Sequence, residues 1–119
     1  MQDFKKLKIW QRSHQLVLKI YSVTKRFPTE ERYGITSQIR RSSTSIPTNI
    51  AEGAGRKGNV EFARFIEIAF SSAAEVEYLL MLSKDLDYIS SDEYRKLSDE
   101  LAEIMRMLSS FLKKLETKN

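Results

Sequence analysis

Apolar residues recur along most of this chain at steps of three and four, the spacing that gathers side chains on one face of an α-helix. The first such run covers about residues 9–26. Ile9, Leu16, Ile20, Val23 and Phe27 share one face, and Trp10, His14, Val17 and Tyr21 form a second strip beside it. Arg12, Lys19 and Lys25 fall outside both strips, and Pro28 ends the run because the residue before a proline is pushed out of helical geometry. A second helix is predicted over 33–53, opening near Thr29 or Tyr33, with Ile35, Ile39, Ile46 and Ile50 inward and Ser42, Ser43 and Ser45 keeping that face narrow.

A third helix, the longest, is predicted over 59–86 with Asn59 as its cap. Phe62, Ile66, Ala69, Ala73, Val76 and Leu80 form its seam, and the cluster Ala69, Ser71, Ser72, Ala73 and Ala74 makes its middle slim. The fourth covers 91–115. Ser90 and Glu93 have the spacing of a capping box, and Tyr94, Leu97, Leu101, Ile104, Leu108, Phe111 and Leu115 then recur without a miss. No alternating strand pattern competes. Four amphipathic helices with short connections predict an all-α, antiparallel up-down-up-down four-helix bundle in a single domain over 1–119.

The second helix contains the segment that breaks local rules, Ile46, Pro47, Asn49, Ile50, Glu52 and Gly53. A proline inside a helix cannot donate to the carbonyl four residues earlier, here that of Ser43, and its ring crowds that carbonyl. A kink is expected, with the hydroxyls of Ser43, Ser45 and Thr48 and the Asn49 amide placed to bond the freed backbone groups. Gly53 is the candidate for a left-handed helix end. The slim middle of helix three is expected to meet this segment in one close crossing.

Composition narrows the function. The chain has 119 residues, 41% hydrophobic and 30% charged, with four glycines, two prolines and no cysteine. Disulfides and thiolate metal sites are thereby excluded, and a cytoplasmic location is the default expectation. No apolar run approaches the roughly 20 residues of a membrane span. The net charge of +4 hides an asymmetry: residues 1–64 carry 13 Lys/Arg against 5 Asp/Glu, and residues 65–119 carry 7 against 11. A basic half beside an acidic half suits either a nucleic-acid partner or self-association through complementary faces. The loop Gly55-Arg56-Lys57-Gly58 is glycine-rich and basic but lacks the Walker spacing. His14, the one histidine, has no carboxylate partner in its local pattern and is assigned a packing role. No paired carboxylates, metal-ligand spacing or nucleophile with its base stands out, so no catalytic residue, metal or cofactor is assigned.

The segments Trp10-Gln11, Phe27-Pro28, Gln38-Ile39-Arg40-Arg41, Ser45-Ile46-Pro47-Thr48-Asn49-Ile50-Ala51-Glu52-Gly53 with Gly55-Arg56, Glu61-Phe62-Ala63-Arg64-Phe65, Glu67-Ile68-Ala69 and Glu75-Val76-Glu77 occur in that order. In this the chain resembles the four-helix-bundle family of the 23S rRNA intervening-sequence proteins, whose members are often called ribosomal proteins. The resemblance covers nearly the whole chain. It implies a homo-oligomer, a pentameric barrel with a basic surface, associated with RNA or DNA, with a reverse transcriptase as in the accessory protein of diversity-generating retroelements, or with a ribosome-associated partner. It implies no catalytic activity. Two positions depart from the family pattern, Ala54 where a bulky residue is usual and Ser71 where glycine is frequent.

Together these observations predict a non-catalytic, oligomeric nucleic-acid-associated protein. Arg40, Arg41, Arg56, Lys57 and Arg64, with Lys5, Lys6, Lys8 and Arg12, are expected to contact phosphates without reading sequence. The alternative is a protein-interaction scaffold, or an accessory subunit with no nucleic-acid affinity of its own. If the Pro47 segment is a packing device, Pro47→Ala is expected to disturb assembly before it disturbs folding. Solution mass and nucleic-acid affinity of the variant check this, and no change in either would refute it.

Overall fold

The structure is a computed structural model and describes residues 2–117. Four helices carry the chain: α1 (Lys8–Thr24), α2 (Ile35–Ala54), α3 (Asn59–Asp85) and α4 (Ser91–Thr117). Short 3-10 turns at Phe4–Lys6 and Thr29–Glu31 precede α1 and α2. The predicted helices are all present, with ends displaced by one or two residues. The sequence leads one to expect a frayed tail over residues 116–119; Glu116 and Thr117 are helical instead, and Lys118 and Asn119 lie outside the described residues.

Each helix packs on its chain neighbour, and α4 closes back on α1. The diagonal pairs keep their backbones apart. Cross-helix pairings give the directions. Along α1 and α4, Arg12 meets Glu103, Lys19 meets Glu100 and Arg26 meets Glu93. Between α2 and α3, Gly53 lies against Phe62 and Ser45 against Ser72. Arg40 of α2 bonds Thr24 near the end of α1 while Ala51 lines a groove with Trp10; Phe62 of α3 packs tilted on Phe111 of α4 at 5.2 Å while Lys84 lies over the Tyr94 ring at 4.8 Å. In every pair one residue number rises as the other falls, so the neighbours are antiparallel. The result is a rod of 46 × 23 × 20 Å.

The predicted seams form the core. Leu16, Ile20, Ile46, Ile50, Ile66, Val76, Leu80, Leu101, Ile104 and Leu108 are almost wholly removed from water. Removal of such apolar surface is the main favourable term in folding, at about 25 cal/mol per Å². Five polar residues are buried with them, and each donates its hydroxyl to a carbonyl of the preceding turn. Ser13 bonds Ile9 at 2.6 Å, Thr24 bonds Ile20 at 2.7 Å, Ser42 bonds Gln38 at 3.0 Å, Ser43 bonds Arg40 at 3.1 Å and Ser83 bonds Leu79 at 2.7 Å. None is left to pay a desolvation penalty.

Helix α2 runs through Pro47 without a break, and Ile46, Pro47 and Ile50 are buried. The expected rescue of the freed carbonyl is not what forms. Ser43 and Thr44 both donate to the Arg40 carbonyl, while the Asn49 amide donates to the carbonyl and hydroxyl of Ser45, at 2.8 and 3.0 Å. Ser45 in turn meets Ser72 of α3 at 2.8 Å between oxygens. Thus Asn49 joins the α2–α3 contact. Glu52, at the next turn, is exposed and does not share in it.

Gly53 also differs from expectation. It sits inside the helix, which ends at Gly55 with φ −85°, and the left-handed residue that opens α3 is Gly58 at φ 84°. What requires glycine at 53 is space, since a Cβ there would stand 2.7 Å from the Phe62 ring and 2.9 Å from the Phe65 Cβ. The slim cluster of α3 divides in the same way. Ala69 and Ala73 are buried and Ser72 faces α2, but Ser71 and Ala74 are exposed. The side chain at Ser71 therefore meets no neighbour inside the bundle, and Ala54 is buried in the core.

At the far end, Glu31 ties three elements together. Its carboxylate accepts from the Ile35 N–H at 3.2 Å, capping α2, and from the Tyr88 hydroxyl at 2.7 Å. Tyr88 packs on Phe27 with ring centroids 5.3 Å apart. Among the described residues no helix is long and apolar enough to cross a membrane.

Gly53→Ala sets a helix-propensity gain of about 1 kcal/mol against an overpacking cost of about 1–3 kcal/mol. Two aromatic side chains stand within 3 Å, and one contact is through its stiff Cβ. A lower melting temperature is therefore expected in a thermal scan; an equal or higher one would show that the rings move aside freely.

Candidate nucleic-acid interface

The charge split seen along the sequence is redrawn when the helices pack. One end of the rod holds the start of α1, the end of α2, the start of α3 and the end of α4. Lys5 and Lys6 stand on the first 3-10 turn, which is tied to this end by the Gln2 N–H on the Ala54 carbonyl at 2.9 Å. Lys8 opens α1 and lines one groove with Lys114 of α4. Lys57 lies in the α2–α3 loop, and Lys113 precedes Lys114. All six are exposed, and none has a carboxylate partner among the described residues.

Three of these cations sit where a helix does not favour them. The first turn of α1 contains no acidic residue, no side chain caps it, and Lys5, Lys6 and Lys8 surround its positive end. Cations are favoured at a helix C-terminus, by about 0.3–1 kcal/mol, and acids at the N-terminus. Lys114 obeys this rule in the last turn of α4. Lys8 and the two lysines of the preceding 3-10 turn do not, so the dipole of α1 gives no reason for them.

Of the nine cations singled out from the sequence, Lys5, Lys6, Lys8 and Lys57 stand together on the basic end, whereas Arg12, Arg40 and Arg41 lie elsewhere on the rod. Arg56 and Arg64 reach the basic end beside Lys57, each with a loose local carboxylate. Arg56 Nη2 is 3.6 Å from Glu52 Oε2 and its guanidinium lies 5.0 Å above the Phe65 ring; Arg64 Nε is 4.0 Å from Glu61 Oε2. Exposed pairs of this kind contribute about 0–1 kcal/mol, so a phosphate can displace them.

Arg12 is half-buried and paired with Glu103 of α4. It belongs to the series of ion pairs that also joins Lys19 to Glu100 at 2.6 Å and Arg26 to Glu93. The basic outer face of α1 is neutralised there by the acidic face of α4, which accounts for much of the sequence asymmetry. Arg40 lies toward the other end. Its Nε donates to Thr24 Oγ1 at 2.8 Å, Nη2 to the Tyr21 carbonyl at 3.3 Å, and the guanidinium covers the Tyr21 ring at 4.5 Å. Arg40 thus joins α2 to α1. Arg41, next to it, is exposed on the α2–α3 side without a carboxylate partner among the described residues.

Lys113 and Lys114 are the cations that sequence reasoning passed over. They fall in the half with an acidic balance, and only the antiparallel return of α4 brings them to this end, Lys114 beside Lys8 and Lys113 in the groove that Phe70 of α3 lines. His14 stacks on Trp10 with centroids 5.1 Å apart and planes 10° from parallel, and Phe4 packs edge-on to the same Trp10 at 5.1 Å. These aromatics anchor the 3-10 turn that carries Lys5 and Lys6.

The capping box of α4 forms as predicted, with Ser90 N–H to Glu93 Oε1 and Glu93 N–H to Ser90 Oγ, both at 3.0 Å. The Ser90 N–H, followed by the Arg26 guanidinium, holds the Glu93 carboxyl below its ordinary pKa. A carboxyl with a depressed folded-state pKa contributes stability above its ordinary range and loses it as pH falls through the folded value. Glu93→Ala is accordingly expected to cost about 1 kcal/mol at pH 7, as cap losses do. The difference in melting temperature from the parent should shrink below the carboxylate range, and a gap that persists unchanged at acid pH would refute the assignment.

The family profile described as 23S rRNA-intervening sequence protein matches residues 5–110. A solved structure of a protein with unknown function from the S23 ribosomal protein family of Bacteroides thetaiotaomicron VPI-5482 is similar to this chain. It covers 88% of this chain and 98% of its own length, at 28% identity and a TM-score of 0.82. Among curated proteins no match was found. The chain belongs to the 23S rRNA-intervening sequence protein family.

Proposed function

We propose that this member of the 23S rRNA-intervening sequence family is a non-catalytic nucleic-acid-associated protein of the cytoplasm that holds a phosphate backbone, RNA being the expected partner, on its basic end. The observation that carries the reading is the convergence of Lys5, Lys6, Lys8, Lys57, Lys113 and Lys114 from separate stretches of chain, unpaired among the described residues. Lysines present mobile point charges, which suit contact with backbone phosphates rather than base edges.

The same reading includes a homo-oligomer. The outer face of α3 exposes Val60, Ile68, Tyr78 and Met81, and Leu18 of α1 is also exposed. Leu79, on the same helix, belongs to the core instead. What remains is apolar surface interspersed with Arg64, Glu67 and Glu75 on the outside of α3, and exposed apolar side chains gathered on one helix support a subunit contact. That face is equally the observation that favours the alternative scaffold reading.

Titration of labelled RNA and DNA against salt tests the proposal. Affinity is expected to fall linearly in log–log form, by about 0.7 to 0.9 in slope for each phosphate neutralised. Joint reversal of Lys57 and Lys114 to Glu should flatten that slope by about two and weaken all sequences alike. No affinity at low salt, or a slope that ignores both reversals, would overturn it in favour of the scaffold. A solution mass equal to one chain across a concentration series would remove the oligomer.

A further inference from the structure

A second feature lies away from the basic end, on the α2–α3 side of the rod. A cleft of about 510 Å³ opens between the first half of α2 and the middle of α3, within the roughly 300–1,000 Å³ range of small-ligand sites. Its floor is polar but already satisfied: Ser42 donates to the Gln38 carbonyl, and Ser45 and Ser72 share a hydrogen bond. Its walls are unspent. Arg41 and Glu75 both line it and form no ion pair with each other, and neither has another charged partner among the described residues.

Tyr33 stands at the rim, 89% exposed, the most exposed of the large apolar side chains. A ring held almost wholly in water contributes little to the fold. Beside an unpaired guanidinium and an unpaired carboxylate, it supplies the three surfaces that an unpaired nucleotide needs. An aromatic face stacks the base, a cation takes the phosphate, and a carboxylate accepts from an amino group on the base edge. Glu75 repels phosphate, so only the base edge can turn toward it, and the two ends of the ligand are distinguished.

We propose that this cleft binds one nucleotide of a single-stranded nucleic acid, with the base on Tyr33, its amino edge toward Glu75 and its phosphate on Arg41. The inference rests on the backbone-binding reading and adds to it the preference for unpaired, amino-bearing bases. Ala54, the last residue of α2, follows Arg41 by thirteen residues, and Arg56 lies just beyond it, so about 20 Å of helix separates the two arginines. That distance corresponds to about six nucleotides of stacked strand at 3.4 Å each. Arg64 lies between, on the same stripe of α3 as Ile68, Ser71 and Glu75. One strand can therefore run from the basic end to the cleft.

The test compares labelled single strands of about 12 nucleotides, oligo(A), oligo(C) and oligo(U), with a duplex of the same length, in the full chain. Tyr33→Ala is expected to weaken single-strand binding about 5- to 100-fold, the range for loss of one stacked base, and to leave duplex affinity and salt slope unchanged. Tyr33→Phe should restore it. Glu75→Gln should erode the preference of the parent for oligo(A) and oligo(C) over oligo(U). Unchanged single-strand affinity in Tyr33→Ala, an equal loss on the duplex, or a change in solution mass that assigns the ring to a subunit contact would each overturn the cleft while the backbone reading stands. Absence of all binding in the parent would overturn both.

Discussion

The close approach of α2 and α3 is the constraint on which the rest depends. Two helices with ordinary side chains at their contact stay about 8–10 Å apart. Here Gly53 admits Phe62 and Phe65 against the α2 backbone, Ser45 and Ser72 meet oxygen to oxygen, and Ala69 and Ala73 keep the facing surface thin. A Cβ at position 53 alone would fall inside van der Waals contact with two aromatic side chains. This hairpin fixes where the α2–α3 loop lies, and hence where Lys57 stands. It also sets the depth of the cleft beside Arg41, whose floor is made of serines.

Polar groups in so narrow a contact need partners, because an unsatisfied hydroxyl in the interior costs about 1–3 kcal/mol. The chain meets this locally: Ser42, Ser43 and Thr44 bond the turn behind them, and Asn49 and Ser45 satisfy each other before Ser45 reaches Ser72. The segment that breaks helix rules is therefore occupied with its own packing. Pro47 fits the same account, since α2 carries it buried against the neighbouring helix without interruption.

Electrostatics divides between two tasks. Along the α1–α4 seam, opposite charges cancel in pairs of which Glu100 is the most sheltered carboxylate, 13% exposed in its side chain. Such pairs orient two helices more than they stabilise them. At the basic end nothing cancels Lys5, Lys6, Lys8, Lys57, Lys113 and Lys114 among the described residues, and the dipole of α1 opposes the first three. This violated local preference, uncompensated by a contact inside the fold, is the support for the proposed backbone-binding role.

The helical periods, the capping box at Ser90 and Glu93 and the four seams could be read from the sequence, because they depend on spacing and on contacts within one turn. Element number, core membership and fold class follow from such local rules. Three matters did not. Whether Gly53 served as a left-handed end or a point of close approach depended on where the Phe62 ring would lie, a contact between two helices. Which cations were free depended on which acids faced them. Arg12 and Arg40 are consumed by α4 and α1, while Lys113 and Lys114, in a stretch whose balance is acidic, are carried to the basic end by the antiparallel return of α4, Lys114 beside Lys8. The gathering of Tyr33, Arg41 and Glu75 around one cleft joins residues far apart in the chain. Side-chain chemistry is written in one dimension, but a charge acts through space, and only the packed bundle decides what lies within its reach.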